Sequence, residues 1–158
     1  RGFTLVELAV VLLVLGLIVW IAAPRLATIG GRSRDAVFRD FAGGSEAAFD
    51  LALFEKRDVR LVIDPVAGTY AFLAAGREAD ASQTRTVGNG LAISGVQVDG
   101  EERPPDMATE IRYRPGGRVP LTRIFFRETG GNGKGAEWTL TINPFDGSVD
   151  VQEGHRVA

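Results

Sequence analysis

Cysteine is absent from the 158-residue chain, which excludes a disulfide framework and any zinc site built on thiolates. Histidine is nearly absent. His155 is the only one, and so close to the end it is expected in a loose tail, where a Ser/His/Asp triad would be poorly held. An excess of one charge is also lacking: the formal net charge is −2, with 18 Lys and Arg against 20 Asp and Glu. With Arg1, Arg25 and Glu7 set aside, residues 26–158 carry 16 basic and 19 acidic side chains. That balance gives no electrostatic case for a nucleic-acid binder, so DNA is not an expected partner. Gly130-Gly131-Asn132-Gly133-Lys134-Gly135 lacks the Ser or Thr and the helix of a phosphate loop, and it reads as a flexible turn. Asp99, Glu101, Glu102 and Asp106 do not have EF-hand spacing and read as a solvated acidic loop. The sequence thus predicts no catalytic residues, no cofactor and no metal site.

What is present is an apolar run. Residues 8–23 are sixteen apolar or Gly residues in succession. Counted from Phe3 to Ala23 the segment has 21 residues, interrupted only by Thr4 and Glu7. A helix of that length spans roughly 30 Å at ~1.5 Å per residue, about the hydrocarbon thickness of a bilayer. A core helix would leave a polar stripe, whereas Leu8 to Leu15 cover every face. The expectation is a membrane helix over residues 3–24. A cleaved secretory signal is the rival, and Ala22-Ala23 imitates its small-residue end. Pro24 immediately afterwards, and Glu7 at the start of the run, fit that rival badly. The first residue is Arg1 rather than Met, which predicts either that the chain begins inside a longer precursor or that it has been trimmed.

Glu7 is the anomaly. A carboxylate deep in a membrane helix costs roughly 2.5–3.5 kcal/mol on insertion scales, and less where it can snorkel from the helix end. It needs no task there. If the chain is cut after Gly2, however, Phe3 becomes an amino terminus only four residues from Glu7. An amine and a carboxylate in low dielectric need each other. The amine could be that of the same chain or of a neighbour, and the second case makes Glu7 an assembly residue.

Arg1-Gly2-Phe3-Thr4-Leu5-Val6-Glu7-Leu8, with the apolar run behind it, resembles the processing and assembly motif of type IV pilins and type II secretion pseudopilins. The resemblance implies that prepilin peptidase cuts between Gly2 and Phe3, that Phe3 is N-methylated, and that Glu7 serves assembly. It places Pro24 where pilin-like helices carry a kink; simple termination at the membrane surface is the other reading. It also implies a single-pass anchor in the bacterial inner membrane, with the remainder in the periplasm. Charge alone points the other way, because Arg25, Arg32, Arg34 and Arg39 follow the apolar run and positive charge marks the cytoplasmic side.

Residues 25–56 read as an amphipathic continuation of the helix. Leu26, Ile29, Ser33, Val37, Phe41, Gly44, Ala48, Leu51 and Glu55 follow steps of three and four, most of the early and middle positions apolar, with possible bends at Gly30-Gly31 and Gly43-Gly44. From residue 57 the pattern changes to short alternating strands at 59–63, 69–73, 91–98, 110–114, 121–127, 137–143 and 148–152. Asp64-Pro65-Val66-Ala67-Gly68 is a hairpin turn between the first two. Residues 74–90 read as loop with at most one short strand, and 99–107 as loop. The fold class expected is α+β and pilin-like: a long N-terminal helix packed on antiparallel sheets, with residues 57–158 as a β-rich domain.

Ile111-Arg112-Tyr113-Arg114-Pro115-Gly116-Gly117, and later Leu140-Thr141-Ile142-Asn143-Pro144-Phe145-Asp146-Gly147-Ser148-Val149, resemble the C-terminal domain of H-type minor pseudopilins and their minor-pilin relatives. That resemblance implies a minor pseudopilin in the periplasmic pseudopilus of a type II secretion system. Its partners would be other pseudopilins or pilins, prepilin peptidase, the inner membrane and secreted substrate proteins. A minor pilin of a type IV pilus, in DNA uptake, is the alternative.

Overall fold

The computed structural model describes the backbone of residues 5–76, 83–88, 90–129 and 135–155, and within these ranges the side chains of residues 9–14 and of 34 onward. The chain divides into two compact units, residues 1–35 and 36–158. One helix, α1 (Leu5–Phe54), runs through both.

In the first unit, Ala9 to Val14 are exposed all round the helix, with Leu12 at 61% and Leu13 at 71%. No polar face separates them, as the sequence pattern predicts. Most of residues 3–24, expected to span a membrane, lie outside the residues whose side chains are described. Among the described residues, no helix is long and apolar enough to cross a membrane.

The second unit is α+β. Among the described residues nine strands follow the helix: β1 (Val59–Asp64), β2 (Thr69–Ala74), β3 (Arg85–Thr86), β4 (Leu91–Val98), β5 (Glu101–Glu102), β6 (Thr109–Tyr113), β7 (Thr122–Glu128), β8 (Glu137–Ile142) and β9 (Val149–Glu153). They form two antiparallel sheets, one in the order β3-β2-β1-β6 and the other β5-β4-β7-β8-β9. All seven strands read from alternation are present. The short β3 falls in the 74–90 loop. The additional β5 occupies part of the 99–107 stretch expected to be loop; its two residues, both Glu, carry no apolar signal.

Local chemistry explains the connections. Asp64 Oδ1 accepts hydrogen bonds from the backbone N–H of Val66 and Ala67, both at 2.9 Å, which closes the β1–β2 turn. The β8–β9 turn is tied the same way: Asn143 Oδ1 takes the N–H of Phe145 at 3.0 Å, and Asp146 Oδ1 takes the N–H of Ser148 at 2.9 Å and its hydroxyl at 2.7 Å. These bonds hold the exposed Asp146 carboxyl below its ordinary range. The helix ends two residues before the expected position. Lys56 adopts a left-handed φ of 54° and the N–H of Arg57 folds back to the carbonyl of Leu51 at 3.4 Å, which closes the helix end.

The core lies between α1 and the inner faces of both sheets. Phe38 packs on the second sheet, against Phe126 at 5.4 Å and Trp138 at 6.1 Å between ring centroids. Phe41, one turn further, packs on the first sheet against Tyr70 at 5.1 Å and Phe72 at 5.6 Å. These tilted and edge-on pairs each add about 0.5–1.5 kcal/mol beyond area burial. Around them Leu61, Ile63, Ile124, Leu140 and Ile142 are fully enclosed. Successive turns of one helix thus bind two sheets into a single body.

Candidate processing motif and the anchoring of the body

Four residues carry the function expected from the sequence. Gly2 and Phe3, the cleavage pair and methylation site, lie outside the described residues. Glu7 and Pro24 lie within α1, and their side chains are outside the described set. Gly2, Phe3 and Glu7 fall within six successive positions. A peptidase reads such a linear signal without help from the fold.

The body holds two polar networks that the sequence did not announce. In the first, Ser45 is fully buried on α1. Its hydroxyl donates to the carbonyl of Gly147 at 2.6 Å and lies 2.8 Å from the hydroxyl of Tyr113. A serine has one proton to give, so Tyr113 donates to Ser45. The helix, β6 and the β8–β9 turn are pinned at one point. Burial pushes the Tyr113 phenol well above its ordinary value.

In the second network, Tyr70 on β2 donates to Asp40 Oδ2 on the helix at 2.6 Å, and Arg85 on β3 forms an ion pair with the same carboxylate. Burial raises the Tyr70 phenol, and the hydrogen bond and charge of Asp40 raise it further. Asp40 likewise raises the Arg85 guanidinium. Neither network presents a nucleophile beside a base. His155 is not in a loose tail: its ring stacks on Phe125 with centroids 4.1 Å apart. Asp99 spends one carboxylate oxygen on the N–H of Leu121 at 3.0 Å. Among the described residues no group of three or more His, Asp or Glu could hold a metal ion. Gly130 to Lys134 lie outside the described residues.

The chain is thus an α+β body of antiparallel sheets with a long N-terminal helix whose sequence carries an apolar run. Comparison with known families sharpens the N-terminal half of that statement. Residues 1–23 match the prokaryotic N-terminal methylation motif, the prepilin signal of type IV pilin-like proteins. That match contains Gly2, Phe3 and Glu7 and ends at Ala23, the last residue of the apolar run. No curated protein and no solved structure matches the chain.

Proposed function

We propose that this chain is a minor pseudopilin, a structural subunit of the periplasmic pseudopilus of a type II secretion system, acting by assembly and not by catalysis. The observation that carries the reading is the methylation motif over residues 1–23, with Gly2, Phe3 and Glu7 at the positions the chemistry needs. Prepilin peptidase cuts after Gly2, and Phe3 becomes the methylated amino terminus. Residues 3–24 hold the subunit in the inner membrane, with residues 57–158 in the periplasm. During assembly Glu7 neutralises the Phe3 amine of a neighbouring subunit inside an apolar bundle. The choice of a pseudopilus over a type IV pilus rests on the likeness of Ile111–Gly117 and Leu140–Val149 to H-type domains.

The test is expression of the full precursor in a host that has prepilin peptidase. Mass spectrometry should find N-methyl-Phe3 as the mature terminus, and Gly2→Val should leave the leader attached. Glu7→Leu should be inserted and cleaved, yet be at least tenfold depleted from filaments. Normal incorporation of Glu7→Leu would defeat the role given to that carboxylate. Neighbouring genes for a secretion apparatus or for a pilus would decide between the two systems.

A further inference from the structure

We propose that the free edges of β6 and β9 are the two halves of a contact between copies of this chain, with β9 of one copy adding to β6 of the next as an antiparallel strand. The proposal rests on the filament reading above and specifies which surfaces of the body meet.

Two sheets have four edges. β3 and β5 are two residues each and too short to template a partner, whereas β6 and β9 are five residues each. The matched lengths are accompanied by opposite charge. An open groove runs beside β6, lined by Glu110, Ile111, Arg112, Arg114 and Arg118 among others. Arg112 is held by Glu110 at 2.7 Å. Arg114 and Arg118 are exposed, and among the described residues neither has a carboxylate partner. Asp99 also lines the groove, so Arg112, Arg114 and Arg118 face Asp99 and Glu110 and the edge is basic only by a small excess, in a body that is acidic as a whole. β9 reads Val149-Asp150-Val151-Gln152-Glu153 and has no basic residue. Asp150 and Glu153 are exposed, and among the described residues Asp150 is engaged only by Gln152 Nε2 at 2.6 Å.

The apolar positions choose the register. Val151 pairs with the fully buried Leu140 of β8, so it lies on the core side of its sheet, yet it is 37% exposed, with no strand beyond β9 among the described residues. On β6, Ile111 is the central core-side residue. Setting Val151 beside Ile111 leaves two orientations. The parallel one puts Asp150 opposite Glu110, and like charges facing each other are destabilising. The antiparallel one puts Asp150 opposite Arg112 and Gln152 opposite Glu110, which satisfies both. A contact between two different patches on identical copies is head-to-tail; it forms a ring where the rotation closes and a filament where it does not, and the filament reading takes the second case.

The absence of Cys makes a clean test possible. Arg112→Cys and Asp150→Cys are placed on separate copies of the full chain, coexpressed in membranes and mildly oxidised. Both positions are exposed, so the core is left alone. Opposed residues on antiparallel strands have Cα atoms about 4.5–5.5 Å apart, within the reach of a disulfide at about 4.4–6.8 Å. The mixture should give a cross-linked dimer at several times the level of either variant alone, and a chain with both substitutions should give a ladder. Arg112→Glu should cut filament yield severalfold, and adding Asp150→Arg should restore it. Filaments that depend on Glu7 but show no cross-link above the single variants defeat the edge contact and leave the parent reading standing. An uncleaved chain without filaments defeats the parent reading, and this proposal with it. Salt-sensitive retention of duplex DNA, lost in Arg114→Ala/Arg118→Ala, would overturn the proposal by assigning the basic edge to nucleic acid.

Discussion

At the scale of single residues, Ser45 carries more of the body than its size suggests. Replacing it with Ala strands the Gly147 carbonyl and the Tyr113 hydroxyl in a dry interior. Leaving buried polar groups unmet costs about 1–3 kcal/mol each. Ser45→Ala should therefore destabilise residues 36–158 by about 2–4 kcal/mol in urea melts, more than Tyr113→Phe, which removes only one donor and keeps the ring. The two tyrosines of the chain give a second expectation. Both phenols are raised above the ordinary value of about 10, chiefly by burial. The unfolded chain then releases protons first, so the folded state is fully favoured below pH ~10 and loses stability as pH rises beyond it. Tyrosinate absorbance should stay low through pH ~10 and appear together with unfolding; independent titration of either ring near 10 would contradict this. A mid-helix serine is not a legible anchor, because its partners lie 68 and 102 positions away.

At the scale of elements, α1 contains adjacent glycines that should respond in opposite directions. A Cβ on Gly43 would meet nothing within 4 Å, whereas one on Gly44 would stand 2.5 Å from Cε2 of the Phe72 ring. Alanine gains about 1 kcal/mol over glycine in a helix interior. Gly43→Ala should thus stabilise the body by about that amount. Gly44→Ala should destabilise it, since overpacking costs about 1–3 kcal/mol and exceeds the propensity gain. Thermal melts of the two variants should move apart; a shared direction would show that the Phe72 ring gives way freely. Helix and strands were legible because periods of 3.6 and 2 are written in consecutive residues. Arg85-Thr86 and Glu101-Glu102 were not legible as strands, since two polar residues carry no period. The division into two sheets was hidden too: β1 pairs with β6 across about fifty residues, and alternation says nothing about partners.

At the scale of the whole molecule, Gly2, Phe3 and Glu7 were legible because a peptidase reads linear sequence. The basic and acidic edges were not, because being an edge depends on every other pairing in the sheet. On the proposed reading the labour is divided: the N-terminal motif would govern processing and release, and the sheet edges would govern how neighbours are set. The two tryptophans mark this division. Trp20 sits in the apolar run and Trp138 in the body. Because Trp138 packs at 6.1 Å from Phe38 on the helix, its emission depends on whether the helix is seated. A Trp20→Phe chain would have a single emitter, and a red shift of its fluorescence would report helix undocking in the intact chain, without a label.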